Sequence, residues 1–599
     1  METLKRSEQK LEDTWNLEII YKNLEEYNKD FQKVKNLLDK IQIYQGHILD
    51  SSNSLYECLS LDTEIDLLLE RLRNYTQRKY DEDISNTSSQ NLKGRYSNLS
   101  NEFSNITSFI VPELLEKDYK VIEKYISENP KLKRFELDLK KVFRYKEHTL
   151  AKNEEMILSE LSQCLDYSDK IAKIIRNSEM QFGKIKDENG NEVQLTNQNY
   201  NLFIRSKNRQ VRHDAFMEMY NTYSKYKNTL ATCLEGNVAA ISKINKIEKY
   251  PNSRYAALYK TRVSEEIYDN LIEIVNKRID VLHKYYNLKK GALNLDELNL
   301  YDIFLNISTT IDKKYTFNEA KEILLDVVKI FGDEYLEKVK QILNNRYIDV
   351  YPNENKRSGA YSSFGYDTPP YILLNYQETY ADVLTLIHEI GHAMHTIESR
   401  EHNDYLDYRY KIFLAEVAST VNETLFNYYM LEHTTNNIEK QYIISEMLDK
   451  FKKTFFNQTM YAEFEQLIYN SYENGLVLTS KYLSDKYLEL NRKYYGNSVN
   501  VNEEIKYEWA RIPHLYYNFY VYKYATGISA AYYIVNRIRN KEKTAIEDYL
   551  KFLRVGDTLD PLEALKLTGA DMTGGDVINT AIDMFDNLID ECKVLRKNN

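Results

Sequence analysis

The chain has 599 residues, a formal charge of −11, 43% hydrophobic and 29% charged residues, and only 8 prolines and 17 glycines. Those proportions suit a soluble globular protein, but breakers are scarce: three prolines and seven glycines fall before residue 350. A β-sandwich or a doubly wound sheet, which needs frequent Gly-rich turns, is hard to build from such a stretch, and the acidic balance speaks against nucleic acid or an anionic membrane as main partner.

The N-terminal METLKRSEQKLEDTW is charged where a secretory leader needs an apolar core. The longest uncharged apolar stretch, near 528–535, is far short of the ~20 residues that cross a bilayer. Four scattered cysteines (Cys58, Cys164, Cys233, Cys592) form no CxxC pair, so structural thiols in a reducing, cytoplasmic compartment are expected. Residues 1–180 read as amphipathic helices, with apolar residues at three- and four-residue spacing over 61–72 and 121–139. Within 182–195, two short alternating runs flank Asn189-Gly190, a strong hairpin signal. A seam is placed there, dividing the chain into 1–195 and 196–599. Helical pattern resumes near residue 209 and continues, with interruptions, to about 344. Pro369 and Pro370 then precede an apolar run, 371–376, expected as a short strand following the prolines or lying on a sheet edge. Such an edge could take an extended peptide by strand addition; the alternative is a small sheet that only closes a lobe.

Four of the ten histidines, His388, His392, His395 and His402, lie in fifteen residues. They include His388-Glu-Ile-Gly-His392, an HExxH. Thr379 and Asp382 have capping-box spacing before it, and Val383, Leu384, Ile387, Ile390, Met394 and Ile397 recur at helical period, so the motif belongs on a helix. Two histidines four apart then lie one above the other and can share one metal at about 2.0–2.1 Å. Glu389, about a quarter turn away, misses the metal but can reach a water held there, the position of a zinc-peptidase base. A catalytic zinc takes three protein ligands. His395 is one possibility for the third. Glu416, expected to be buried among Phe413, Leu414, Val417 and Ala418 on a helix spanning 408–423, is the other, and a second helix wraps a tetrahedral ion more readily than one straight helix does. Glu423, seven residues further on, either orients a ligand histidine or makes a plain salt bridge.

HEIGHAMH followed 24 residues after His392 by the Glu of AEVASTVNE resembles the oligoendopeptidase F branch of the thimet oligopeptidase family of zinc metallopeptidases. Lys356-Arg-Ser-Gly-Ala-Tyr361, Pro370-Tyr-Ile-Leu-Leu-Asn375, Arg511-Ile-Pro-His-Leu-Tyr-Tyr517, Tyr520-Val-Tyr-Lys-Tyr-Ala-Thr-Gly527, Gly569-Ala-Asp-Met572 and Thr14-Trp-Asn-Leu17 are similar to that branch too. Arg554-Val-Gly556 departs from it by lacking a Ser before the Gly. The resemblance implies a mostly α fold: a zincin-type helical ellipsoid with a deep central channel and a small β-sheet beside the HExxH helix. It implies one Zn2+ per chain held by His388, His392 and Glu416, with Glu389 as general base, in a catalytic domain spanning 196–599. The implied activity is endopeptidase cleavage of short unstructured peptides, with folded proteins excluded. Tyr517, Tyr520 and His514 match the residues that the family uses near the scissile carbonyl, where phenol and imidazole donors stabilise an oxyanion. Tyr517 and Tyr520, three apart, are expected on one helical face with His514 opening the segment; in a chain with 53 tyrosines, such a stripe is more often packing. Other readings are a metallocarboxypeptidase of similar helical HExxH fold, a non-catalytic peptide-binding protein, and a helical interaction protein with a chance motif.

Overall fold

A computed structural model describes residues 4–308 and 313–597. The fold is mostly α, with two small sheets among the described residues. Backbone contacts divide the chain into two compact units, each assembled from three stretches: Met1–Thr149, Lys313–Phe426 and Glu542–Thr568 in the first, Leu150–Asp312, Asn427–Lys541 and Gly569–Asn599 in the second. Both are discontinuous, so they cut the chain differently from a single boundary at 195. None of the helices among the described residues is long and apolar enough to cross a membrane.

In the first unit, the helix Ser52–Glu82 packs against Leu24–Ile41 and Thr87–Thr107. Their inward faces bury Tyr27, Leu38, Ile41, Leu55, Ile65 and Leu72, the three-and-four spacing that the sequence shows over 61–72. The expected helix over 121–139 is instead three pieces: Tyr119–Glu128, a 3-10 segment Pro130–Phe135, and Glu136–Arg144. Pro130 cannot continue the first helix, and the Asn129 side chain accepts from Lys131 N to start the next turn.

The three-stranded sheet of this unit corrects the edge-strand expectation. Tyr371–Leu373 follows the two prolines as expected, but it is central: it pairs in parallel with Ile348–Asp349 and antiparallel with Tyr361–Ser363. Tyr371, Ile372 and Leu373 are all fully buried, which suits a strand covered on both faces. The edge nearest the HExxH helix is therefore Tyr361–Ser363. At the site of the sequence departure, a turn after the helix Ala545–Arg554 still forms through Val555, with Gly556 at φ +60°. A Cβ there would meet the Asp407 carbonyl oxygen, so the glycine, not the missing serine, fixes this turn.

The second unit is built on the 39-residue helix Arg209–Ile247, which packs against Glu503–Arg511, and on Tyr522–Arg539 against Asp576–Lys597. Many tyrosines sit in its core with the hydroxyl satisfied: Tyr268 donates to the Ala462 carbonyl at 2.6 Å and Tyr487 to Glu508 at 2.6 Å. The hairpin expected at Asn189-Gly190 joins Lys184–Lys186 to Glu192–Gln194. Its loop is longer than two residues because the Asp187 carboxylate accepts from the backbones of both Asn189 and Asn191, with Gly190 at φ +84°.

Candidate active site

The HExxH motif lies on Tyr380–His402, which starts in a complete capping box: Thr379 Oγ1 accepts from Asp382 N, and the Asp382 carboxylate accepts from Thr379 N at 2.9 Å. Burial is wider than the single apolar face expected, since Leu386, Ala393, Glu398 and Ser399 are buried as well. The glutamate-bearing helix, Ile412–His433, starts four residues later than the pattern at 408 suggests. The two helices touch at Gly391, where an added Cβ would stand 2.6 Å from Ser419 Cα and 2.9 Å from the Ala418 carbonyl oxygen. Only glycine permits this approach, and it sets Glu416 opposite the two histidines.

His388 Nε2 lies 3.1 Å from His392 Nε2, and the Glu416 carboxylate stands 3.7 Å from the first and 3.9 Å from the second. Zinc bound tetrahedrally at 2.0–2.1 Å would separate its ligand atoms by about 3.4 Å. Two imidazoles and a carboxylate at these spacings fit such an ion, and the three residues form a group able to hold a metal. Contrary to the expectation of burial among apolar neighbours, the Glu416 side chain is 47% exposed. Phe413, Leu414, Val417 and Ala418 fill the core side of the helix, and the carboxylate projects from the other side, where a substrate has access.

The remaining histidines separate clearly. His395 is buried and stacks on Tyr410 with ring centroids 3.6 Å apart, and burial pushes its imidazole down to about 3. It takes no part in the three-residue group. His402 caps the end of the helix, its Nδ1 2.8 Å from the Glu398 carbonyl oxygen. The contact of Glu423 with His388 suits a residue that orients a ligand histidine and is also an ion pair when that ring is protonated. The residue is buried, and its Oε1 lies 2.8 Å from His388 Nδ1, leaving Nε2 directed to the metal position. Burial also lowers the His392 pKa, with His388 adding to the effect, so the neutral, ligating form is favoured.

Glu389 is 6% exposed. Burial pushes its carboxyl up to about 7; the Ser362 backbone N–H on the edge strand opposes this and Glu416 adds to it. Its buried Oε2 has no hydrogen-bond partner among the described residues. A second acidic group, Glu334, Glu398 and Glu401, is an ion-pair knot: Lys338 Nζ sits 2.9, 2.5 and 2.7 Å from the three carboxylates.

His514, Tyr517 and Tyr520 belong to the second unit and come together there, although not as one helical face. Pro513–Tyr516 is a 3-10 turn, Asn518 and Phe519 follow at φ +49° and +53°, and the next helix opens only at Tyr522. The rings of Tyr517 and Tyr520 lie edge to face at 6.4 Å, and His514 is 5.5 Å from Tyr517. Tyr517 is 45% exposed. The left-handed pair is held from below by Glu465, fully buried, whose Oε1 accepts from Phe519 N at 2.6 Å. Glu465 and Ser362 carry no sequence signal. Gly391 carries one, a glycine in mid-helix that costs about 1 kcal/mol against alanine unless something must come close.

The sequence profile of peptidase family M3 matches residues 202–584, and that of an Oligopeptidase F N-terminal family matches 113–182. Oligopeptidase PepF of Bacillus subtilis is 40% identical over 590 residues, covering 98% of this chain and 88% of that protein. Among solved structures, a protein from Chlamydophila abortus superposes with a TM-score of 0.94 at 35% identity, covering 99% of this chain and 100% of that one. Oligoendopeptidase-F from Enterococcus faecium superposes with a TM-score of 0.74 at 31% identity, covering 96% and 99%. These matches define a metallopeptidase of the endopeptidase class. The chain belongs to peptidase family M3 and is of its oligoendopeptidase F type.

Proposed function

We propose that the protein is a zinc-dependent, cytoplasmic oligoendopeptidase that cuts internal bonds of short unstructured peptides. The observation that carries this reading is the His388–His392–Glu416 donor set beside an unpartnered Glu389 Oε2. Bound there, Zn2+ would supply Lewis acidity, polarising the carbonyl and making a water acidic near neutral pH. Glu389 then takes the proton of the attacking water at Oε2 and returns it to the leaving amine; burial favours the protonated form through which it passes. Glu423 keeps His388 in the ligating tautomer through Nδ1. The edge strand Tyr361–Ser363 offers backbone groups for an extended substrate. Tyr517 and Tyr520, with His514, are proposed as donors to the developing oxyanion, a role carried over from the family resemblance.

Four unpaired cysteines, three of them buried, support a reducing compartment. The gap between the two family matches, 183–201, brackets Asn189-Gly190 and supports a functional division into 1–195 and a catalytic region 196–599. The test is Glu389→Gln. It should keep one zinc per chain and the native melting temperature while peptide cleavage falls by several orders of magnitude. Loss of zinc in that variant would make Glu389 a ligand and refute the mechanism.

A further inference from the structure

The second unit holds a cavity of about 910 Å3 whose charge is opposite to that of the chain as a whole. Arg205, Lys207, Lys450, Lys453 and Arg596 lie on its wall, against two carboxylates, Glu446 and Asp449. Asp449 and Asp302 are already paired with cations. Asp449 accepts from Tyr285 and lies 3.1 Å from Lys289 Nζ. The buried Asp302 pairs with Arg209 at 2.9 Å and Arg212 at 2.6 Å, two further wall residues. Glu446 accepts from Asn306 Nδ2 at 2.7 Å. Arg596 donates to the carbonyls of Ile307 and Ala292, which leaves its charge uncompensated. Arg205, Lys207 and Lys453 have no ion-pair partner among the described residues.

Lys452, the chain neighbour of the wall residue Lys453, is 2% exposed. Burial, opposed by Asp449 and reinforced by Lys289, Lys453 and Arg205, pulls its ammonium down to about 7. A buried ammonium is costly unless it is paired or loses its proton. The backbone carries a second mark. Between Asn437–Phe451 and Asn457–Glu473, the helix widens into a π-turn over Lys452–Phe456, a feature frequent at functional sites. The first turns of Arg209–Ile247 and Asn437–Phe451 also border the cavity, through Arg209, Arg212 and Ile438, and add the positive ends of two helix dipoles. The volume is in the range of small-molecule sites, about 300–1,000 Å3.

We propose that this cavity binds a small anion with several clustered phosphate charges. Guanidinium and ammonium groups converging from several elements match phosphate oxygens better than a single carboxylate. Two sources share this chemistry, a nucleoside polyphosphate and an inorganic polyphosphate chain. Leu293, Leu295 and Phe304 would take the organic part of the first.

The test is calorimetric titration of the full-length, metal-loaded protein with ATP, inorganic tripolyphosphate and orthophosphate in excess Mg2+. Binding of ATP or tripolyphosphate at least tenfold tighter than orthophosphate, and weakened at least tenfold in Arg205→Gln/Lys453→Gln, supports the site. Both side chains are exposed, so that variant should fold. Tighter binding of ATP identifies a nucleotide site; equal or tighter binding of tripolyphosphate identifies an inorganic one. No binding by either, or heat unchanged in the variant, which would arise from chelation elsewhere, overturns the proposal. Thermal melts give an independent readout: the bound anion should raise the melting temperature of the native protein and not that of the Arg205→Gln/Lys453→Gln variant, and equal stabilisation of both would also overturn the proposal.

Discussion

Gly391 and Ser419 mark the closest approach of the two helices that carry the metal-binding group: a Cβ on the first would stand 2.6 Å from Cα of the second. The obstacle is backbone, so no rotamer change relieves it. Gly391→Ala must push the helices apart, at about 1–3 kcal/mol for overpacking. It also moves Glu416 away from His388 and His392, already 3.7 and 3.9 Å distant. The variant should stay folded with a melting temperature a few degrees lower, bind zinc at least tenfold more weakly, and lose activity in proportion. Zinc affinity equal to that of the native protein would show that this contact does not set the ligand geometry.

The HExxH helix was legible because its signals are local. A capping box, a helical apolar period and two histidines four apart all lie on one element, and each is present in the fold. The charged helix-and-turn stretches around Pro130 were less legible, since a proline ends a helix but the pattern beyond it can resume at once. What was lost is what depends on distant partners. The strand after Pro370 is central because Ile348–Asp349, more than twenty residues earlier, pairs with it. The exposure of Glu416 depends on which side of its helix meets the core. The turn between Tyr517 and Tyr520 departs from a helix because Glu465, some fifty residues earlier, accepts the Phe519 N–H.

The choice between Glu416 and His395 as third ligand is tested by metal content. Glu416→Ala should lose most of its zinc and its activity. His395→Ala should keep zinc near one per chain and instead lose stability, because it removes a buried ring stacked on Tyr410. The opposite pattern would move the site one turn along the same helix. Glu423→Gln should hold the fold and weaken zinc by about ten- to a hundredfold, the usual cost of losing the group that orients a ligand histidine.

Tyr517→Phe and Tyr520→Phe each remove one hydroxyl and almost no volume. If these phenols serve the oxyanion, at least one variant should lose about a hundred- to a thousandfold in kcat, with KM and zinc content little changed. Tyr517 is 45% exposed, so its hydroxyl has little bearing on stability. Normal turnover in both variants would assign the pair to packing and turn attention to His514.

Glu465 gives a pH signature to the segment that carries those tyrosines. Burial pushes its carboxyl up to about 8, against the pull of the Phe519 N–H and of Lys523. A glutamate in the unfolded chain titrates near about 4.3. Between those values the folded protein holds the proton and the unfolded chain does not, so the neutral acid contributes stability that is complete below about pH 4 and declines as pH rises to about 8. Glu465→Gln keeps an acceptor for Phe519 N and cannot ionise. The native protein should therefore lose a few kcal/mol relative to this variant as pH is raised from 5 to 9, and thermal melts at several pH values measure the difference. Glu465→Ala removes the acceptor and leaves Phe519 N buried and unpaired, at a cost of about 1–3 kcal/mol. The two left-handed residues, Asn518 and Phe519, then lose the contact that holds them. Turnover should fall in the alanine variant and recover in the glutamine one. Native and glutamine proteins with parallel stability–pH curves would show that Glu465 is ionised in the fold, and equal turnover in all three would free the tyrosine segment from its control.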